Sequence, residues 1–223
     1  MKNVIYSMML LYWLLGFQGI SHATLINGDF SNGLNGWTIE EDVIEDNGAA
    51  VIGDSFSDPF SFGSALYQGI AVTSGQYEYS FDFKNQLSAD IPTNDPFAFF
   101  DTAFFSLYFA NDATSIATFP PTDFVALFDL DALGPFFVDS NVVLTSQGDW
   151  THVSYTFNNQ FAYAMPAFEL FDFNFILADS SLLIDNVSLK KIVPPSTVPN
   201  PSALWLILIG LGFMSLTRKS SLV

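Results

Sequence analysis

The feature that most restricts this chain is the run Gln76-Tyr77-Glu78-Tyr79-Ser80-Phe81-Asp82-Phe83-Lys84, in which every second residue is aromatic and every intervening one is polar. A period of two belongs to a β-strand, because successive side chains leave a pleated backbone on opposite faces, whereas a helix would scatter these four rings around its axis. Such a strand buries one face and wets the other. The period recurs in residues 150–157, where Val153, Tyr155 and Phe157 share a face; at Phe171, Phe173, Phe175 and Leu177; and in residues 182–189. Shorter candidates occupy residues 25–27, 37–40, 49–53, 65–72, 102–110 and 124–130. Gly, Asn, Asp and Pro turns divide these segments, and no capped stretch of helical period stands between them. Parallel sheets require long crossovers, so the pattern predicts an all-β, antiparallel β-sandwich.

The rings also supply the driving force. With 25 phenylalanines among 223 residues, and roughly 150–250 Å² hidden by each buried ring, the chain can offset its ordering entropy and is not a disordered polymer. Its net charge of −17 argues against nucleic acid and anionic lipid surfaces as partners, since both are bound through clustered Lys and Arg. Having no cysteine, it cannot form disulfide staples, thiol nucleophiles or zinc–thiolate sites.

The two ends read differently from the body. Residues 1–23 have a lysine at position 2, an apolar run from position 4 to 17, and Ser21-His22-Ala23. That is the layout of a secretory signal cleaved after Ala23; an N-terminal anchor would need a longer run and a basic stop. At the other end a proline-rich linker, residues 193–198, precedes Pro199-Asn200-Pro201, an apolar segment at 203–216, and Arg218-Lys219. Fourteen residues give a helix of about 21 Å, against a hydrocarbon core of about 30 Å. The segment is a marginal permanent span, and the basic pair behind it sets its orientation in the inner membrane. An N-terminal signal helix and a C-terminal hydrophobic helix are therefore expected to flank a body at residues 24–192.

The tail, from Val198 to Lys219, resembles that of the bacterial PEP-CTERM proteins, with Asn200 standing where that family most often has glutamate. The resemblance implies an exosortase-type transpeptidase as partner, transient membrane insertion with Pro199, Asn200, Pro201, Arg218 and Lys219 as the sorting signal, and delivery to the cell surface or extracellular polysaccharide matrix of a Gram-negative bacterium. A simple C-terminal anchor is the alternative. The run Leu25-Ile26-Asn27-Gly28-Asp29-Phe30-Ser31-Asn32-Gly33-Leu34-Asn35-Gly36-Trp37-Thr38 in turn resembles the opening of galactose-binding-like jelly rolls, the fold of several carbohydrate-binding modules. Residues 150–157 and 183–189 are similar to that fold's last two strands. The resemblance implies a jelly-roll body and a structural calcium ion where the first and last strands meet, held by Asn27, Asp29 and Asp185, with Ser31 at a position where glutamate often assists.

Charge and chemistry complete the reading. All 23 acids lie in the body against Lys84, Lys190 and Lys191, which leaves −20 there, a self-repulsion that cations or salt must screen. Oxygen ligands of this kind suit calcium. The acidic run at Glu40-Glu41-Asp42 and Glu45-Asp46 reads as solvated surface. His152, the single histidine after removal of residues 1–23, falls on the face opposite Val153, Tyr155 and Phe157, and neither a zinc site nor a nucleophile elbow accompanies it. Trp37 and Trp150 are expected in the core. Phe60, Phe62, Phe97, Phe99, Phe100, Phe136 and Phe137 are expected in loops, each tucked under its own loop or forming a contact patch. The reading is a secreted, non-enzymatic surface or matrix protein. The alternatives are a glycan-binding module and a small glycoside-active enzyme using two carboxylates.

Overall fold

The computed structural model describes residues 25–53, 63–89, 100–118, 120–121, 123–171 and 180–193. The dominant alternating run forms β7 (Gly75–Gln86), with Tyr77, Tyr79, Phe81 and Phe83 buried. It lies in a six-stranded antiparallel sheet, called here sheet two, in the spatial order β11 (Val142–Gln147), β12 (Trp150–Asn159), β7, β14 (Ser181–Lys191), β4 (Ala49–Gly53) and β3 (Val43–Asp46). Sheet one runs β10 (Gly134–Val138), β9 (Asp123–Asp131), β8 (Thr102–Ala110), β13 (Tyr163–Phe171), β5 (Ser64–Tyr67) and β2 (Thr38–Glu40), with β6 (Ile70–Ala71) also on β13. The eight central strands read 4-14-7-12 and 5-13-8-9. Each sheet thus interleaves strands distant in sequence, which is the double Greek key of a jelly roll. A further short strand, β1 (Ser31–Leu34), and one turn of helix, α1 (Ala113–Ile116), complete the described elements.

The sheets face each other across a core that is mostly aromatic. Phe81 of β7 stacks on Phe105 of β8 at 5.5 Å between ring centroids and meets Phe168 of β13 edge-on at 5.0 Å, while Phe105 stacks on Phe128 of β9 at 4.0 Å. Offset and edge-to-face pairs of this kind add about 0.5–1.5 kcal/mol each beyond their area. A β-bulge in β9 lets both Leu127 and Phe128 point inward. The extra residue restores the alternation one step later, so that Ala126 and Asp129 both face outward.

Several elements differ from the sequence reading. Residues 25–27 are irregular, with a bend at Ile26 and a turn following at residues 28–29, rather than a strand, and the run at 65–72 is split into β5 and β6 around Gln68-Gly69. The split explains how β13 tolerates Pro166 in its interior. Proline cannot donate to a ladder, but Pro166 sits where the neighbouring strand changes from β5 to β6, and its carbonyl oxygen accepts from the Gln68 amide at 3.2 Å. Phe171 closes β13 on its outer face instead of opening a core strand; residues 172–179, which hold Phe173, Phe175 and Leu177, lie outside the described residues. Phe136 and Phe137 are not tucked under a loop: they stand on edge strand β10, 59% and 41% exposed. Trp37 is buried, whereas Trp150 begins β12 half-exposed, because its register puts it on the outer face with His152.

The chain divides into two compact units, Met1–Lys191 and Ile192–Val223. The signal segment with Ala23, the tail residues Pro199, Asn200, Pro201, Arg218 and Lys219, the two flanking helices, and Phe60, Phe62, Phe97 and Phe99 lie outside the described residues. Among the described residues no helix is long and apolar enough to cross a membrane.

Candidate functional site

On an ordinary two-layer sandwich the outer face of each sheet is polar. The outer face of sheet one is not. Strand β8 carries rings on both faces: Phe105, Leu107 and Phe109 enter the core, while Phe104, Ser106 and Tyr108 face out. On β13, Phe168 and Leu170 face in, and Met165, Ala167, Glu169 and Phe171 face out. At one end this outer face is covered by α1, whose Ile116 packs with Tyr108, Ala110, Met165 and Ala167 in a second, smaller cluster. The helix is held by Asp112, which caps it by accepting from the Ser115 amide at 2.8 Å.

Beyond the helix the face opens into a cleft of about 610 Å³, lined by Phe104, Ser106, Tyr108, Phe124, Ala126, Asp129, Glu169 and Phe171. The strand register fixes its layout. Tyr108 pairs with Phe124 across β8 and β9, their rings 5.4 Å apart, and Phe104 meets Phe171 edge-on at 5.2 Å. Phe124 is 56% exposed, whereas Tyr108 is only 6% exposed. One row of the sheet reads Asp129, Phe104, Glu169, Ala65, Glu40, across β9, β8, β13, β5 and β2. Three carboxylates therefore stand two strands apart along one line.

Their electrostatics follow from this placement. Burial raises Glu169 to about 7; the Tyr108 hydroxyl, donating at 3.3 Å, opposes the rise, and the charges of Glu40 and Asp129 add to it. Asp129 is also raised by burial. Tyr108 is pushed up to about 12, first by burial and then by the Glu169 charge. Tyr67, which donates to Glu40 at 2.8 Å, reaches about 12 through burial and that hydrogen bond. Near neutral pH, Glu169 can thus serve as either hydrogen-bond donor or acceptor, beside rings that offer apolar faces.

The residues implied for calcium occupy a different place, at the junction of the opening loop with β14. Asn27 organises the loop. Its amide nitrogen donates to the carbonyl oxygens of Gly33 and Asn35, its side-chain oxygen accepts from the Asn32 amide at 3.1 Å, and its own carbonyl accepts from the Trp37 indole at 3.1 Å. Asp29 accepts from the backbone and hydroxyl of Ser31, closing a local turn. Asp185 lies at the β-bulge of β14 and accepts from the Asn186 amide at 2.6 Å; burial raises it, the hydrogen bond from Asn186 opposes this, and the charges of Asp82 and Asp29 add to the rise. The structure thus brings Asp29 and Asp185 close enough to sense each other, and engages Asn27 in holding the loop. Among the described residues no group of three or more His, Asp or Glu side chains is disposed to share a metal ion. His152 lies on the outer face of sheet two, hydrogen-bonded to Asp82 at 2.6 Å, and Asn186 donates to the other oxygen of that carboxylate at 2.8 Å.

No protein-family model matches the chain, and no curated protein does. Solved structures of similar fold include TmCBM61 in complex with β-1,4-galactotriose, 12% identical over 76% of this chain and 99% of that one, with a TM-score of 0.46. A CBM4 structure is 15% identical over 76% and 100%, with a TM-score of 0.43. The carbohydrate recognition domain of Emp47p is 11% identical over 71% and 90%, with a TM-score of 0.43.

None of the cleft residues stood out in the sequence as a site. The available signal was the double alternation of residues 102–110, in which both strand faces carry rings. A strand apolar on both faces must have its second face covered, by the protein itself or by a ligand. Here α1 covers part and leaves the rest open.

Proposed function

We propose that this protein is a non-enzymatic, glycan-binding β-sandwich that works outside the cell, with the cleft on sheet one as its binding surface. The observation that carries the reading is the ring-lined cleft in which exposed Phe124 and half-buried Phe104 and Phe171 stand over buried Tyr108, beside Asp129 and Glu169 on the outer face of sheet one. Sugar rings have apolar faces and polar rims. An aromatic platform with carboxyl groups at hydrogen-bonding distance suits both, and a concave apolar site with a few convergent polar groups is the ordinary form of a ligand pocket.

The test is depletion of the full-length chain from solution by a panel of insoluble polysaccharides. At least one polymer should retain the wild type and release Phe124→Ala, because Phe124 is exposed and its loss should not disturb the core. Val143→Ala, on the opposite sheet, should bind as the wild type does. Equal retention of both variants, or no retention by any polymer, would remove the cleft from consideration.

The delivery route is part of the same proposal. The layout of residues 1–23 supports export with cleavage after Ala23, and the tripartite tail supports sorting by an exosortase-type enzyme that recognises Pro199-Asn200-Pro201 while residues 203–216 pause in the membrane ahead of Arg218-Lys219. Mass spectrometry of the protein recovered from its native cells should find a mature start at Thr24 and a chain lacking residues 203–223. An intact carboxyl terminus at Val223 would contradict sorting and leave the glycan reading standing.

A further inference from the structure

Charge is not shared evenly between the two sheets. Every charged side chain on the strands of sheet one is acidic: Glu40, Asp123, Asp129, Asp131 and Glu169. The described bases, Lys84, His152, Lys190 and Lys191, all belong to β7, β12 and β14 of sheet two. The carboxylates of the cleft therefore have no positive partner on their own sheet. Among the described residues, Glu169 receives one hydrogen bond, from Tyr108, and Asp129 receives none. Two partly desolvated carboxylates are thus aimed into a ring-walled cleft with little to compensate them, an arrangement costly to the protein alone.

A single metal ion does not fit this arrangement. Asp129 and Glu169 stand two strands apart, about 9.5 Å in backbone spacing, with Phe104 between them. Calcium–oxygen distances are about 2.3–2.6 Å. The complement is an extended ligand carrying its own cation. An ammonium group offers three donors to a carboxylate and is attracted to aromatic faces, whereas a uronate would be repelled and a hydroxyl supplies no charge.

We infer that the cleft selects glycans with free amines: an amino-sugar ring lies on the exposed Phe124, and the ammonium groups of separate sugars along the chain are held by Glu169 and Asp129. The inference rests on the proposed role of the cleft as the glycan site and names the class of glycan it takes. Burial together with the charges of Glu40 and Asp129 holds Glu169 up to about 7. A bound cation would offset that repulsion and let the carboxylate ionise, so the charge would be worth more at this site than on open surface.

The test is calorimetric titration of the full-length chain near neutral pH with a β-1,4-linked glucosamine oligomer and with its N-acetylated counterpart of equal length. The amine form should bind about tenfold tighter. Glu169→Gln and Asp129→Asn should each reduce that preference while keeping the affinity for the acetylated oligomer, and Glu78→Gln on sheet two should change neither. Equal affinities for the two oligomers would overturn the inference and leave the glycan reading intact. So would an equal loss of preference in Glu78→Gln, or oligolysine binding as tightly as the amino sugar, since either would trace the attraction to the chain's net charge. If Phe124→Ala binds every oligomer as well as the wild type does, the glycan reading itself fails.

Discussion

Two residues expose the tension between burial and polarity most clearly. Glu169 is held up to about 7, foremost by burial. A carboxyl whose folded pKa is raised is tolerated protonated and resisted ionised. It therefore stabilises the fold below the usual carboxylate range, and that stability is lost as pH rises toward and through 7. Glu169→Gln should then melt a few degrees above the wild type at pH 8 and at the same temperature near pH 4, as read by paired thermal scans; a gain of equal size at both pH values would show that ionisation is not the cause. Tyr79 presents the neutral counterpart. It is fully buried, its hydroxyl has no hydrogen-bond partner among the described residues, and burial raises its pKa well above the ordinary value. An orphaned buried hydroxyl costs about 1–3 kcal/mol, and removing it relieves that cost. Denaturant titration should find Tyr79→Phe as stable as the wild type or up to about 1 kcal/mol more so, whereas a clear loss would mean that the hydroxyl has a partner.

At the scale of elements, the opening loop is joined to the last strand by a contact that only glycine permits. A Cβ on Gly28 would stand 2.0 Å from the Val187 carbonyl oxygen, and the Val187 amide donates to the Gly28 carbonyl at 2.8 Å. The partner is backbone at the β14 bulge and cannot swing aside. Gly28→Ala should therefore cost about 2 kcal/mol or more and free the loop that Asn27 organises, visible as faster hydrogen exchange at the Val187 amide; unchanged protection there would count against this contact. Elements with one apolar face were legible in the sequence: β7, β12 and β14 all follow a period of two, since one face meets the core and the other water. Strand β13 was not, because Pro166 interrupts it and its outer face is itself apolar under α1. The cleft was illegible for another reason. Its residues come from β8, β9 and β13, and the strand pairing and the β9 bulge that set Asp129, Phe104 and Glu169 in one row are not written in any local pattern.

For the whole molecule, ring burial works against charge. The body gathers all 23 acids around three lysines, while its aromatic core supplies the cohesion that holds those charges together. Like-charge repulsion between exposed groups is screened within about 10 Å at 0.1 M salt. Adding sodium chloride from low to moderate ionic strength should accordingly raise the melting temperature, and a flat response would mean that the repulsion is already relieved within the fold. The same imbalance directs recognition: sheet two holds the described cations, and sheet one offers uncompensated carboxylates between aromatic walls. The most direct measurement is a crystal structure of the chain soaked with whichever oligosaccharide it retains best. A sugar ring should lie on Phe124 with a polar group against Glu169; a sugar bound on sheet two or along the strand edges, with the cleft empty, would show that recognition lies elsewhere.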